Sequence, residues 1–218
     1  MSINFSKWSI LPVAVLLLGT VALAQDSSTS SSTQTSGTPA SAPAKPGEVA
    51  QRKENQQDRI ANGVKSGQLT AGETANLESK EAAINGETRA DRAANGGKLT
   101  GAEKQQVNQQ QNKLSNQIYN DKHNANTAHY GNNEVGQRRE NQQDRIAQGI
   151  KSGQLTAGET AKLENQQKGI NQQVKADRAA NGGKLTQGEK KQVNKEQNGA
   201  SKNIYNKKHN ANTQGSKK

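Results

Sequence analysis

The chain has 218 residues, of which 28% are hydrophobic, 30 are Lys or Arg, 19 are Asp or Glu and none is Cys. So small an apolar share argues against a large, deeply packed enzyme core. The lack of Cys excludes disulfides, Cys-ligated zinc, iron–sulfur clusters and thiol nucleophiles, and the net charge of +11 directs attention to anionic partners.

The first 24 residues have the pattern of a secretory signal. Lys7 precedes an apolar run from Ile10 to Leu18, and a segment rich in small residues, 22–24, comes before Gln25. This order of charge, apolar run and small residues is typical of a cleaved export signal. The run is shorter than the roughly 20 apolar residues of a membrane anchor. We therefore expect residues 1–24 to be a signal peptide, no transmembrane segment after its cleavage, and a periplasmic or extracellular protein.

Residues 25–50 predict a disordered linker. The segment is rich in Ser, Thr, Ala and Pro, and it contains Pro39, Pro43 and Pro46. A segment of this composition cannot bury enough apolar surface to offset the entropy that it would lose on ordering. We interpret it as a flexible tether for the part of the chain that follows.

The rest of the chain is an internal duplication. Residues 52–127 align without a gap to residues 138–213 at a constant offset of 86. Because a long, gapless repeat is usually one structural block, we expect two helical repeat units, at 51–133 and 134–218. The predicted fold class is all-α, with two tandem copies of a three-helix unit.

A recurring motif, Gly-x-Leu-Thr-x-x-Glu, predicts where the long helices begin. It runs from Gly67 to Glu73 and again from Gly97 to Glu103, and the second unit repeats both copies. Thr-x-x-Glu is the sequence of a capping box, in which the Thr oxygen and the Glu carboxylate each accept a hydrogen bond from the other residue's backbone N–H. The predicted caps are Thr70, Thr100, Thr156 and Thr186.

The helices end, by prediction, at Asn-Gly or the equivalent position of the repeat. Asn62-Gly63 and Asn95-Gly96 would supply left-handed backbone geometry after a helix. Between the caps and these ends, apolar residues such as Leu77 recur at helical spacing on one narrow stripe. The predicted helices are 49–62, 71–95 and 101–125 in the first unit and 135–148, 157–181 and 187–211 in the second.

The same turns resemble the second half of an EF-hand calcium loop, with Gly, an aliphatic residue and a final Glu at matching positions. The chain in this respect resembles secreted bacterial proteins with degenerate EF-hand-like helix–turn–helix repeats, a resemblance that implies no activity. A calcium loop needs several carboxylates, and each turn here supplies one. We expect capped turns without a cofactor, with weak calcium or divalent-cation binding as an alternative. The candidate metal ligands are Glu73, Glu103, Glu159, Glu189, His123 and His209.

Both units end in Ile-Tyr-Asn-x-Lys-His, the one aromatic feature that they share. In one interpretation the two tyrosines form a lid over the apolar stripe. In the other they form, with neighbouring cations, a contact patch for sugar or protein. The histidines are expected near helix ends, where they can meet the last carbonyl groups. The patch candidates are Tyr119, Lys122, Tyr205 and Lys208.

The basic charge lies mostly in the second unit. Residues 52–137 carry 11 basic and 10 acidic side chains, whereas residues 138–218 carry 17 and 7. This excess suggests an anionic envelope polymer, or another protein, as the partner of the second unit. Nucleic acid is not expected, because the chain has no aromatic ladder on which bases could stack.

No nucleophile–base pair, phosphate loop or paired-carboxylate cleft predicts an enzyme, and no catalytic residue is assigned. We expect an exported, non-enzymatic helical repeat protein that serves as a structural or binding module of the cell envelope or exterior. One alternative is a hydrophilin-like stress protein that folds conditionally. The other is the weak cation binder described above.

Overall fold

Six α-helices follow one another in a computed structural model that describes residues 47–214. The helices are α1 (Glu48–Lys65), α2 (Ala71–Ala94), α3 (Gly101–Lys122), α4 (Glu134–Lys151), α5 (Ala157–Ala180) and α6 (Gln187–Lys208). No strand occurs within residues 47–214, so the predicted all-α class is confirmed. All six helices belong to one compact unit. The predicted signal peptide, 1–24, and residues 25–46 of the predicted linker lie outside the described residues.

Four helices begin with a capping box, at the threonines named above. At α2, the Thr70 backbone N–H donates to Oε2 of Glu73 at 2.9 Å, and the Glu73 N–H donates to the Thr70 hydroxyl oxygen at 3.3 Å. Two of the backbone groups that a helix start leaves unpaired are satisfied in this way. The helix starts therefore depend on contacts between residues only three positions apart.

The first helix is longer than predicted at its C-terminal end. Asn62 and Gly63 do not end it, because α1 continues to Lys65 and the left-handed residue is Gly67, with φ +72°. Gly63 instead allows a close approach, since a Cβ there would lie 2.7 Å from the Leu69 side chain. The prediction of a helix end at Asn62-Gly63 is wrong, because the chain leaves the helix at Ser66 and Gly67 instead.

The second predicted type of helix end agrees with the structure. Asn95 caps α2, and Gly96 and Gly97 both have left-handed backbone conformations, with φ of +62° and +88°. Glycine adopts this conformation without the steric cost that a Cβ would impose.

The first helix, α1, begins at Glu48, which lies inside the segment predicted to be a linker, 25–50.

The helices pack as a central group of four, with one helix on either side. The most extensive contact joins α2 to α5, and the next joins α1 to α4. Helix α3 packs on α1 and α2, whereas α6 packs on α4 and α5. Gly72 lies against Lys168, and Gly158 lies against Ala82. Because the start of each helix meets the middle of the other, α2 and α5 run antiparallel.

The core combines aliphatic side chains with buried amides. Ile60, Leu77 and Ile118 are fully buried in the main apolar cluster. Beside them, the Gln56 side-chain amide donates to the Gln111 carbonyl oxygen at 2.7 Å. The same bond, at the same length, joins the residues 86 positions later, Gln142 and Gln197. Polar side chains thus fill space that the small number of aliphatic residues leaves. The amide nitrogens of Gln56 and Gln142 have hydrogen-bond partners, whereas Oε1 of Gln56, Gln111 and Gln197 is buried without one among the described residues.

Three carboxyl groups also lie in the core: Glu78, Glu81 and Glu164 are each fully buried. Loss of water raises the pKa of Glu78 and of Glu164 to about 8, and that of Glu81 to about 7. A Gln amide donates to one oxygen of Glu78 and of Glu164, at 3.0 and 2.9 Å, while the other oxygen of each has no hydrogen-bond partner. At pH 7 Glu78 and Glu164 therefore favour their neutral form in the folded protein, whereas Glu81 titrates near that pH.

No helix within residues 47–214 combines the length and apolar character that crossing a membrane would require.

Candidate anion-binding pocket

The cap glutamates, four of the six predicted metal ligands, are engaged by hydrogen bonds. Oε2 of Glu73 accepts from Thr70, and its Oε1 accepts from Asn124 at 2.8 Å and from Asn126 at 3.0 Å. Burial opposes ionisation, but the bonds from Thr70 and the two amides keep the pKa of Glu73 below its ordinary value. Glu159 is held in the same way by Asn210 and Asn212.

Glu103 and Glu189, the cap glutamates of α3 and α6, each accept one further bond from an Asn amide at 2.8 Å, donated by Asn95 and Asn181. Within residues 47–214, no three His, Asp or Glu side chains come together as a group that could hold a metal ion. The six candidate metal ligands therefore form no such group, and the four glutamates among them serve as helix caps.

The predicted patch residues lie at the C-terminal ends of α3 and α6. Tyr119 and Tyr205 are each 57% exposed, so neither covers the apolar stripe and the lid interpretation is wrong. The ring of Tyr119 stacks on that of His123, with centroids 4.2 Å apart, and Tyr205 stacks on His209 at the same distance. Tyr reaches the surface here because the preceding isoleucine occupies the core position.

The two stacked histidines are fixed by the helix ends. Nδ1 of His123 lies 2.7 Å from the Tyr119 carbonyl oxygen, and Nδ1 of His209 lies 2.7 Å from that of Tyr205. A carbonyl oxygen accepts only, so each Nδ1 carries the hydrogen. The carboxylate of Asp121, two residues before His123, accepts from the Gln117 amide at 3.4 Å.

A cavity lies between the start of α2, the middle of α5, helix α4 and the connection between α3 and α4. Its volume is about 660 Å³, within the range of pockets that hold small ligands. Ala71 and Gly72 of α2 form one wall, and Tyr130 of the connection forms another. We call this cavity the basic pocket.

Four cationic side chains line the basic pocket, and no Asp or Glu does. The cations are Arg139 from α4 and Lys168, Lys175 and Arg178 from α5. None of them forms an ion pair with an acidic side chain of residues 47–214. Nε of Arg139 is buried and lacks a hydrogen-bond partner there. An anion entering the pocket would meet donors that have no competing acidic partner.

The connection between α3 and α4 sets the position of Arg139. The N–H of Ala128 donates to the Gly67 carbonyl oxygen at 2.8 Å, and the Tyr130 carbonyl group packs on Gly136, where a Cβ would lie only 2.0 Å from the carbonyl oxygen. With the connection held at both points, the Arg139 guanidinium lies 5.4 Å above the centre of the Tyr130 ring. This cation–π contact orients the charged group without neutralising it.

The electrostatics around Arg139 follow from burial and from the nearby charges. Burial lowers the pKa of Arg139, and Arg178 acts in the same direction. Burial also raises the pKa of Tyr130 to about 12, so the phenol stays neutral at physiological pH. Two guanidinium groups that repel one another in a partly dry site are stabilised when an anion lies between them.

Sequence reasoning found the excess of basic residues in the second unit but did not select these four. A comparison of the two repeats would have drawn attention to one of them, since Lys168 replaces Ala82 and its neighbour Gln167 replaces Glu81. The buried glutamates were also missed, although Glu81 lies on the same helical stripe as Leu77 and Ile84. Which basic residues meet in one cavity depends on how α2, α4 and α5 pack.

No known protein family, curated protein or solved structure matches this chain.

Proposed function

We propose that this protein is an exported, non-enzymatic helical repeat protein that binds an anionic component of the cell envelope or exterior through the basic pocket. The observation that carries the proposal is the set of four cationic side chains lining one cavity without an acidic neighbour in its wall. The excess of ten positive charges in residues 138–218 supports it, because that region supplies all four cations. Export follows from the signal-like residues 1–24.

The proposal includes the tandem architecture expected from the sequence, two copies of a three-helix unit. Equivalent interactions 86 residues apart support it. The segment after α3 pairs with the α1–α2 turn through Ala128 and Gly67, and the segment after α6 pairs with the α4–α5 turn through Gln214 and Gly153. Duplication then explains why one copy could keep a structural role while the other gained charge.

Long-chain polyphosphate is a suitable probe of this function, because it presents closely spaced negative charges. Binding is measured by fluorescence anisotropy at several salt concentrations. Binding that weakens as salt rises is expected, since counterions are released when cations meet the polymer. Replacing Arg139 and Arg178 together by Ala is expected to weaken binding roughly tenfold or more.

The matched control replaces two exposed lysines outside the pocket, Lys98 and Lys113, and so removes the same net charge. Equal losses in the two double variants would show that overall charge, and not the pocket, binds the polymer. Absence of binding by the unsubstituted protein would overturn the proposed function. A cooperative helical melt without ligand would at the same time argue against a conditionally folded stress protein.

A further inference from the structure

We infer that the basic pocket is a single site for a phosphoryl group carried on a small organic moiety, and that Gln167 and Lys168 distinguish it from a repeat-related cavity that does not bind this ligand. This inference rests on the proposed function and names the ligand class of the same site. A second cavity lies at the repeat-related position of the structure.

The second cavity, here called the counterpart pocket, lies at the start of α5 and has a volume of about 540 Å³. Its wall includes Gly158, Lys53 and Arg89, which occupy the positions of Gly72, Arg139 and Lys175 in the repeat. The two cavities are alike in size and in the helix start that they border. Space therefore does not explain a difference in binding.

The difference lies in charge. Ala82 replaces Lys168 in the counterpart pocket, and Arg92, the repeat equivalent of Arg178, does not line it, so two of the four cations are absent. Lys53, in the place of Arg139, donates through Nζ to the Gln214 carbonyl oxygen at 3.0 Å. Lys53 also interacts with the buried carboxyl of Glu81, whereas Gln167 occupies the matching position beside the basic pocket.

The neutral Gln167 leaves Arg139 without a local counter-ion. Its side-chain amide donates to Oε1 of Gln142 at 3.1 Å, so it is satisfied inside the protein and offers no negative charge. Burial raises the pKa of Glu81 to about 7, which makes this group largely ionised at pH 8 and opposes an anion in the counterpart pocket. The basic pocket therefore favours a bound anion, whereas the counterpart pocket disfavours one.

The lining of the basic pocket indicates the kind of anion. Four cations neutralise a phosphate monoester, with about two charges, better than a single carboxylate, and Arg and Lys are the usual phosphate partners. The cavity exceeds the size of a phosphate ion, and Ala71, Val174 and the Tyr130 ring supply apolar surface for an attached organic group. A free phosphate ester and a phosphorylated polymer end share this chemistry.

Calorimetric titration with glycerol 3-phosphate at pH 8 and constant ionic strength tests the inference. One molecule is expected to bind each chain. Lys168→Ala and Gln167→Glu, which introduce the residues of the counterpart pocket, are each expected to weaken binding roughly tenfold. Circular dichroism melts establish that each variant remains folded.

The reverse exchange provides the second arm. Glu81→Gln together with Ala82→Lys is expected to create a second site, so that the stoichiometry rises from one to two, and adding Lys53→Ala to that variant is expected to abolish the new site. Displacement of bound polyphosphate by glycerol 3-phosphate would identify a free ester as a sufficient ligand. Failure of displacement, with both ligands still bound, would assign the polymer to another surface. It would overturn the proposed binding of the polymer in the basic pocket and leave the site for the small ester in place.

The outcomes separate this inference from the proposed function. Two sites in the unsubstituted protein, or unchanged binding in both Lys168→Ala and Gln167→Glu, would overturn the inference alone. Polyphosphate binding without glycerol 3-phosphate binding would do the same. If the unsubstituted protein binds neither ligand, the proposed function is overturned, and the inference with it.

Discussion

The side-chain amide of Gln57 donates to Oε2 of Glu78 at 3.0 Å, and both side chains lie in the core. The carboxyl group is desolvated, and its other neighbours are the carboxyls of Glu81 and Glu164 and the ammonium group of Lys53. Burial is the dominant influence and raises the pKa of Glu78 to about 8. Gln143 and Glu164 repeat the arrangement on α4 and α5.

This relationship predicts an unusual dependence of stability on pH. In the unfolded chain Glu78 ionises at its ordinary pKa of 4.5, but in the folded chain it ionises only near pH 8. Between these values the unfolded state binds fewer protons, so the free energy of unfolding falls as pH rises and becomes level above about 8. The contribution is complete below about pH 4.5. Replacing Glu78 and Glu164 by Gln is expected to remove most of this fall in the free energy of unfolding, which is on the order of a few kcal/mol in total.

Urea denaturation followed by circular dichroism at pH 5, 7 and 9 measures this slope. Glu54→Gln serves as the control, because Glu54 is exposed on α1. A slope in the Glu78→Gln, Glu164→Gln variant equal to that of the unsubstituted protein would show that other groups determine the pH dependence.

Gly63 is predicted to be intolerant of a side chain. A Cβ at this helical position would lie 2.7 Å from Leu69, so Gly63→Ala forces the buried leucine to move and is expected to cost about 1–3 kcal/mol. Gly86→Ala is the matched control, since nothing lies within 4 Å of a Cβ in the middle of α2. That change is expected to stabilise the protein by about 0.5–1 kcal/mol through helix propensity. Thermal melts of the two variants should therefore shift in opposite directions.

The capping box of α3 is expected to contribute about 1 kcal/mol of stability through Thr100. Bonds from the Thr100 N–H and hydroxyl, and from Asn95, hold the pKa of Glu103 below its ordinary value. Thr100→Ala should lower the melting temperature and move the Glu103 titration upward, as followed by NMR. A lower melting temperature with an unchanged Glu103 titration would mean that Thr100 stabilises the protein through an interaction other than the capping box.

The exposed tyrosines are predicted to matter little for stability. Because Tyr119 is 57% exposed and stacks only on the exposed His123, Tyr119→Ala should change the free energy of unfolding by about 0.5 kcal/mol or less. The adjacent Ile118 is fully buried, and Ile118→Ala should cost about 2–5 kcal/mol. Similar losses in the two variants would restore the lid interpretation. Whether Tyr119, Lys122, Tyr205 and Lys208 form a contact patch remains a separate prediction.

Calcium is expected to leave the thermal melt unchanged. Both oxygens of Glu73 accept hydrogen bonds, from Thr70, Asn124 and Asn126, so coordination would have to break the cap. Melts in chelator and in millimolar calcium test this expectation for the unsubstituted protein. A higher melting temperature in calcium, lost on Glu73→Gln and Glu159→Gln, would instead favour the cation-binding alternative.

The helical class and the four capped helix starts can be predicted from the amino-acid sequence alone. These features depend on interactions between near neighbours: the capping box joins residues three apart, and the apolar stripe repeats with the turn of a helix. Local interactions of this kind can be predicted from the sequence, because Thr70 or Thr100 needs no distant partner to begin a helix.

Tertiary structure alone decided the features that depend on distant residues. Leu69 packs over the helical Gly63, and Glu78 favours its neutral form because it is buried beside Gln57 of α1 and Glu164 of α5. Tyr119 is exposed because Ile118 takes the core position. Arg139 and Lys168 meet in one pocket because α4 and α5 pack beside the start of α2. Desolvation and long-range packing set these outcomes, since the free energy of a buried charge or a crowded Cβ depends on which surfaces the fold brings together.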